Sequence, residues 1–227
     1  ATLMAALEVH RCDERIPLAM RCSEAFGAWA LRRLARTIEV VGLEHVPPNG
    51  AAILAGNHVS WVDPVFLACW LTPATGRPLH WMGKAEAMRW PIVGQFLRAN
   101  GVFGVRRGAA DLEAFRLAER VLAEGHLLGI YPEGTRSVDG RLGAFRDGAA
   151  LLALRSNVPV LPVAVSGTHR LWRRGSLLPR RAAKIRLEIG APLRFEPEDG
   201  RGSVRRAADR IRVAVAALLP PEHLPAP

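Results

Sequence analysis

Seven short runs of apolar residues alternate along this chain with longer segments of helical periodicity. The runs have strand length and are continuously apolar, at residues 38–42, 51–55, 79–83, 101–105, 127–131, 158–165 and 184–189. Continuous rather than alternating hydrophobicity indicates strands that are buried on both faces, which is typical of parallel sheets. Helices are expected over residues 16–36, 61–72, 85–98, 110–124, 143–155 and 203–219. The pattern predicts an α/β fold with a mostly parallel central sheet flanked by helices.

A length of 227 residues suits a single domain with a sizeable core. We expect an N-terminal amphipathic segment over 1–36, the main domain over 37–219 and a proline-rich tail over 220–227. The longest apolar run, Val65 to Leu71, is too short to span a bilayer. The three cysteines form no C-x-x-C pair, a usage typical of a reducing compartment, so we expect a cytoplasmic location.

An excess of cations characterises the whole chain, whose formal net charge is +10. This charge predicts anionic partners, namely phosphate, lipid headgroups or nucleic acid. Aromatic residues make up only 6% of the chain, which is too few for a base-stacking platform, so we expect no nucleic acid.

Two segments have the composition of a membrane-docking surface. Residues 16–36 place Leu18, Phe26 and Trp29 near one helical face, which either packs on the core or lies among lipid headgroups. Residues 166–187 contain no carboxylate and seven cations, Arg170, Arg173, Arg174, Arg180, Arg181, Lys184 and Arg186. We expect this basic loop and the 16–36 helix to dock the protein on anionic lipid at the inner face of the cell membrane.

The first polar cluster, Asn57 to Pro64, follows the second predicted strand. His58 would lie at the carboxyl edge of the sheet, where open α/β folds bind ligands. A histidine there can act as a general base, and Asp63 could hold its tautomer and stabilise the imidazolium. Ser60 and Asp63 also have capping-box spacing, so we expect the cap and His58 to compete for the Asp63 carboxylate.

The second cluster, Tyr131 to Ser137, again follows a buried strand directly. Proline and glycine favour a tight turn, and the planar fork of Arg136 suits bidentate binding of phosphate. Glu133 could orient Arg136 or the hydroxyl of an acceptor. A surface turn with an ion pair is the alternative interpretation.

A third segment, Gly101 to Gly108, brings Arg106 and Arg107 to the same edge of the predicted sheet.

Serine hydrolysis through Ser137 or Ser166 with His58 is an alternative, but the chain lacks a G-x-S-x-G elbow. The other histidines show no ligand spacing, so we expect no metal.

Taken together, the ordered clusters resemble the glycerolipid acyltransferases of the lysophosphatidic acid acyltransferase type. That family has an NHxxxxD box, a G-x-x-x-x-x-R block, an (F/Y)PEGTRS box and a short proline-punctuated strand. The matching segments are Asn57 to Asp63, Gly101 to Arg107, Tyr131 to Ser137 and Val158 to Val163. The resemblance covers roughly residues 37–195 and implies a glycerol-3-phosphate acyltransferase-like fold.

The resemblance implies that His58 deprotonates the acceptor hydroxyl, which attacks the thioester of acyl-coenzyme A or acyl carrier protein, while Asp63 supports His58. No acyl-enzyme, metal or cofactor is implied. The acceptor is expected to be lysophosphatidic acid, which gives phosphatidic acid. By the same resemblance, the residues that bind the acceptor phosphate are Arg107, Glu133, Gly134, Thr135 and Arg136.

Two departures from the family pattern bear on the acceptor. Gly104 stands where a larger residue is usual and could open space, while Arg106 replaces a frequent acidic residue and could strengthen anion binding. Another lysophospholipid or an aminolipid is therefore an alternative acceptor. A non-enzymatic basic module that binds phosphate is an alternative of a different class.

Overall fold

Seven strands form one central sheet in the computed structural model, which describes residues 16–106, 111–172, 176, 178–196 and 202–225. In chain order they are β1 (Ala35–Val41), β2 (Ala52–Gly56), β3 (Leu79–Lys84), β4 (Val102–Val105), β5 (Leu127–Ile130), β6 (Val160–Ser166) and β7 (Ala182–Ile189). Their order across the sheet is β1-β7-β6-β2-β5-β3-β4. Neighbouring strands are parallel except β6 and β7, which are antiparallel.

Helices cover both faces of this sheet. They are α1 (Leu18–Leu34), α2 (Asp63–Thr75), α3 (Pro91–Ala99), α4 (Leu112–Ala123), α5 (Gly148–Ser156), α6 (Thr168–Leu171) and α7 (Ser203–Leu218). Short 3-10 turns lie at Leu43–His45, Ala87–Arg89 and Pro221–His223. Helix ends follow local chemistry: Asp111 accepts the Ala114 N–H at the start of α4, and α2 stops at Gly76, whose φ is +69°.

The core has two halves, one on each side of the sheet. Ile53 and Ala55 of β2 pack into the half formed with α4, α5 and α7. The alternate residues Ala52 and Leu54 pack into the other half, together with α1 and α2. A central strand therefore buries consecutive residues, which explains its continuous apolar run.

The predicted fold class is confirmed, since every predicted strand and helix has a counterpart. The helix expected over 85–98 is instead a 3-10 turn followed by α3, because Pro91 favours a helix start and lacks the N–H that would continue a helix. The structure also contains α6, which the sequence analysis missed.

Residues 166–187 are not one basic loop as expected. Lys184 and Arg186 belong to β7, where both form ion pairs with Glu39 of β1. Arg170 belongs to the short α6, while Arg173 and Arg174 lie outside the described residues. Between α6 and β7, the structure describes two exposed cations, Arg180 and Arg181.

Helix α1 packs on the core through Met20, Ala28 and Leu31, and not through the apolar face that the sequence analysis singled out. That face points outward, with Leu18 72% exposed, Phe26 67% and Trp29 53%. Among the helices of the described residues, none has the length and apolar character needed to cross a membrane.

The end of the described chain, expected as a tail, packs against the loop that follows β5. His223 is buried, its Nδ1 lies 2.5 Å from the Gly140 carbonyl oxygen, and its own carbonyl accepts the Leu142 N–H. The C-terminal turn therefore supports a loop at the carboxyl edge of the sheet.

Candidate active site

The loop after β2 is tied to β6 by the side chain of Asn57. Its Nδ2 donates to the Val165 carbonyl oxygen at 2.9 Å, and its Oδ1 accepts the Val165 N–H at 2.8 Å. The side-chain amide thus takes the place of a pair of backbone hydrogen bonds between β2 and β6, and it holds the loop at the sheet edge.

Asp63 is fully buried at the start of α2 and gathers the whole loop around its carboxylate. Its Oδ2 accepts the backbone N–H groups of Val59 and Ser60 at 2.7 Å and lies 2.9 Å from His58 Nδ1. Its Oδ1 accepts the Thr168 hydroxyl at 2.6 Å. The expected competition between Ser60 and His58 for this carboxylate is wrong, because Oδ2 contacts both the Ser60 N–H and His58 Nδ1. The helix itself begins after Val62, and among the described residues no side chain caps it.

The contact with Asp63 assigns the roles of the two imidazole nitrogens. A carboxylate only accepts hydrogen bonds, so Nδ1 carries the proton and Nε2 of the neutral ring holds a lone pair. The His58 side chain keeps 11% of its surface exposed. The geometry therefore suits a general base whose orientation is set by a buried acid.

The turn after β5 joins this loop through Glu133. Its Oε1 accepts the His58 N–H at 2.8 Å, and its Oε2 accepts the Gly143 N–H at 3.1 Å. The Ser137 N–H donates to the His58 carbonyl oxygen at 2.7 Å. Burial raises the pKa of the Glu133 carboxyl despite these two N–H donors. Both carboxylate oxygens of Glu133 thus accept backbone N–H groups. The sequence analysis had predicted that Glu133 orients Arg136 or an acceptor hydroxyl.

Arg136 lies over the Trp61 ring, with 4.1 Å between the guanidinium carbon and the ring centroid. This contact joins the first and second clusters on the outside of the site, since Trp61 is exposed. Gly134 has a φ of +72°, and a Cβ there would lie 2.9 Å from Nε of Arg146. Arg146 therefore adds a second cation beside the turn, and Thr135 is exposed next to them.

The third segment contributes less than expected within the described residues. Arg107 lies outside them. The backbone N–H and the guanidinium of Arg106 both contact the Asp111 carboxylate, so that this cation serves the start of α4. A Cβ at Gly104 would lie 3.1 Å from Ala85 Cα and 3.3 Å from Met88 Cγ. The glycine allows close packing, and the expectation that it opens space for an acceptor is wrong.

Thr168 and Tyr131 are the site residues whose roles the sequence analysis missed. Thr168 follows β6 directly, as His58 follows β2, so the same criterion of a polar residue after a buried strand could have found it. Tyr131 stacks on the His58 ring with 4.1 Å between centroids and 12° between planes. Its ring orientation depends on the sheet order, for which the sequence carries no signal.

The two serines considered for hydrolysis have other surroundings. The Ser137 hydroxyl donates to Asp139 and accepts the Gly140 N–H, which builds a local turn. Ser166 is the last residue of β6. The contacts of Ser137 do not resemble the hydrogen bond between a nucleophile and its base.

Comparison with known proteins agrees with this geometry. The family model described as Acyltransferase matches residues 37–166. A 1-acyl-sn-glycerol-3-phosphate acyltransferase of Limnanthes alba is 38% identical over 61% of this chain and 48% of its own length. One from Bacillus subtilis strain 168 is 28% identical over 69% of this chain and 73% of its own. The chain spans about half the length of the Limnanthes and Cocos nucifera relatives.

A solved structure is also similar. The crystal structure of the 1-acyl-sn-glycerophosphate (LPA) acyltransferase PlsC from Thermotoga maritima superposes with a TM-score of 0.71. It is 26% identical in sequence, and the match covers 88% of this chain and 79% of that one.

Proposed function

The chain belongs to the acyltransferase family, and from that premise we propose that it transfers a fatty acyl group to the free hydroxyl of lysophosphatidic acid. The donor is the thioester of acyl-coenzyme A or of acyl carrier protein, and the product is phosphatidic acid. The observation that carries the proposal is the hydrogen bond between His58 Nδ1 and Asp63, at the sheet edge where Arg136 also lies. The names of the relatives support the choice of acceptor.

In the proposed reaction, His58 Nε2 takes the proton of the acceptor hydroxyl as its oxygen attacks the thioester carbonyl. Asp63 stabilises the imidazolium that forms. The tetrahedral intermediate then expels the thiolate, which receives the proton from the imidazolium and leaves as a free thiol. The transfer is direct, so the protein contributes a base and a position but no covalent link.

The acceptor phosphate is assigned to the cations around the second turn. Arg136 offers a planar fork held over Trp61, Arg146 lies against Gly134, and Arg107 is carried over from the family pattern. Glu133 contributes by accepting the backbone N–H groups of His58 and Gly143, which fixes the position of the base relative to the turn that binds phosphate.

Peripheral docking on anionic lipid is the second part of the proposal. Phe26 and Trp29 stack on each other on the exposed face of α1, and Arg33 lies over the Trp29 ring. A basic rim around exposed aromatic residues is the composition of helices that lie among lipid headgroups.

The exposed apolar surface continues from α1 toward the site. A Cβ at Gly27 would lie 3.0 Å from Val65, so α1 packs closely on the first turns of α2. Val65 is exposed, as is Trp61 beside Arg136. Helix α3, whose Leu97 packs against the same half of the core as α1 and α2, exposes Ile92 and Phe96. This arrangement would let lipidic substrates reach His58 from the bilayer surface.

Release of free thiol from palmitoyl-coenzyme A on addition of lysophosphatidic acid tests the reaction. His58→Ala should lower the rate by about 10²–10⁴, the range for a general base. His45→Ala is the matched control, because the His45 ring contacts the Ile189 carbonyl oxygen and not Asp63. Lysophosphatidylcholine is the rival acceptor, and acyl carrier protein the second donor.

The outcomes separate the alternatives. Faster release with lysophosphatidylcholine would move the proposal to another lysophospholipid. Release without any acceptor would indicate hydrolysis. An inactive native chain with both donors and every acceptor would favour the phosphate-binding module.

A further inference from the structure

Three rings lie in a row across three neighbouring strands, on the face of the sheet that α1 and α2 cover. His58 follows β2, Tyr131 follows β5 and Trp81 lies on β3, the order in which these strands stand in the sheet. Tyr131 stacks on His58 at 4.1 Å and on Trp81 at 5.4 Å, with 12° and 16° between the ring planes. We propose that this ring column (Trp81, Tyr131 and His58) positions the imidazole, with Tyr131 as the positioning residue.

The column depends on a glycine in the middle of the sheet. Trp81 pairs with Gly129 in the register of β3 and β5. A Cβ at Gly129 would lie only 2.5 Å from the indole ring. The absent side chain therefore lets the indole lie across β5 and reach Tyr131, two residues further along and on the same face.

Stacking supplies a constraint that Asp63 cannot supply. The hydrogen bond to Asp63 holds Nδ1 at one point on the edge of the imidazole. A single point leaves the ring plane able to turn about the bond. A flat ring packed 4.1 Å away on one face removes that freedom and fixes the direction of Nε2.

The ring of Tyr131, and not its hydroxyl, carries this role. The hydroxyl oxygen is buried and has no hydrogen-bond partner among the described residues. Burial, together with the negative charge of Asp63, holds the pKa of the Tyr131 hydroxyl well above its ordinary value, so it remains protonated. A neutral hydroxyl without an acceptor neither orients His58 nor moves a proton.

The inference rests on the proposed function for its kinetic test. Tyr131→Leu keeps an apolar side chain but removes the ring, and we expect kcat to fall about ten- to a hundredfold, the cost of a misplaced reacting group. The KM for lysophosphatidic acid should change little, because no phosphate contact is lost. Tyr131→Phe restores the ring and should recover kcat.

A matched control is Trp70→Leu. Trp70 packs edge-on against Phe66 of α2, with 5.1 Å between ring centroids, so its loss removes an aromatic contact outside the column. We expect lower stability in this variant with little change in kcat. Equal kcat in Tyr131→Leu and the native protein would overturn the proposal. So would an equal loss in Tyr131→Phe and Tyr131→Leu, which would make the hydroxyl the active group.

A second measurement needs no turnover. In protein with ¹³C-labelled histidine, the His58 ring protons should resonate upfield through the ring current of Tyr131, with the signal assigned from His58→Ala. The upfield position should persist in Tyr131→Phe and disappear in Tyr131→Leu. If the native protein showed no upfield shift of the His58 ring protons, the proposed ring column would be overturned, even if the protein transfers acyl groups. The presence of that shift in a native protein that transfers no acyl group would contradict the proposed function alone.

Discussion

The Thr168 hydroxyl donates a 2.6 Å hydrogen bond to Oδ1 of Asp63, although 105 residues separate the two along the chain. Both side chains are fully buried. The first residue of α6, just after β6, therefore fixes the carboxylate that contacts the histidine after β2.

Thr168→Val should destabilise the protein by about 1–3 kcal/mol, because it leaves a buried carboxylate oxygen without its donor. Urea denaturation measures this loss, and kcat should fall with it because Asp63 is less firmly held. Thr168→Ser keeps the hydroxyl and is the control. Equal stability of the valine and serine variants would show that the hydrogen bond contributes nothing.

Arg136→Gln should raise the KM for lysophosphatidic acid roughly ten- to a hundredfold, since a hydrogen bond to a charged group contributes about 1.5–3 kcal/mol. Trp61→Leu removes only the ring beneath the guanidinium and should raise it about two- to fivefold. Initial rates at varied acceptor concentration measure both. Arg141→Gln, an exposed arginine of the same loop, controls for the change in net charge. An equal effect at both arginines would exclude a specific phosphate contact.

Glu24→Gln should stabilise the protein at neutral pH. Burial against α2 raises the pKa of Glu24 above its ordinary value of 4.5, so its ionised form costs the folded state free energy. That cost is present above the folded pKa and disappears as pH falls through it toward 4.5. The advantage of the glutamine variant in unfolding free energy should therefore shrink with falling pH. Glu44→Gln, at an exposed carboxyl, controls for charge, and an advantage that grows in acid would contradict the assignment.

Phe26→Ser combined with Trp29→Ser should lower flotation with anionic vesicles at least tenfold. Each large apolar side chain contributes about 1.5–3 kcal/mol when it leaves water. The matched control is Leu112→Ser with Val213→Ser, since these two residues are also exposed but lie on α4 and α7 in the opposite layer.

Charge reversal is a separate test of the same surface. Replacing Arg180 and Arg181 by glutamate should weaken binding to anionic vesicles and leave binding to neutral vesicles little changed, because each cation near such a surface contributes about 1 kcal/mol. If both this variant and the variant with Phe26→Ser and Trp29→Ser floated like the native protein, the docking proposal would be contradicted.

The fold was predictable from periodicity because its central strands are buried on both faces. Ile53 and Leu54 are adjacent in sequence and lie in opposite halves of the core, so the strand reads as one apolar run. The helix α6 was missed because a turn of Thr168–Leu171 is too short to show a period. Lys184 and Arg186 were counted with the basic loop although they lie in the predicted strand over 184–189. Their ion pairs with Glu39 could not be foreseen, because Glu39 lies on a strand distant in sequence.

The site was predictable only where polar residues follow a strand. His58 and Asp63 are five residues apart, so local geometry brings them together. The bond from Glu133 to the His58 N–H and the stack of Tyr131 on His58 depend on β5 lying beside β2, and strand order is a property of the whole chain. Contacts of that kind require the structure.

The carboxylate of Asp63 holds two backbone N–H groups as well as the imidazole. Natural selection for folding alone would therefore keep aspartate here, even in a descendant that had lost its chemistry. Among the described residues, the hydrogen bond that the structure shows for the His58 imidazole goes to a side chain, that of Asp63, so we expect loss of the imidazole to leave the loop closed. On the proposed mechanism, we therefore expect a diverging relative that loses acyl transfer to lose this histidine before it loses the aspartate.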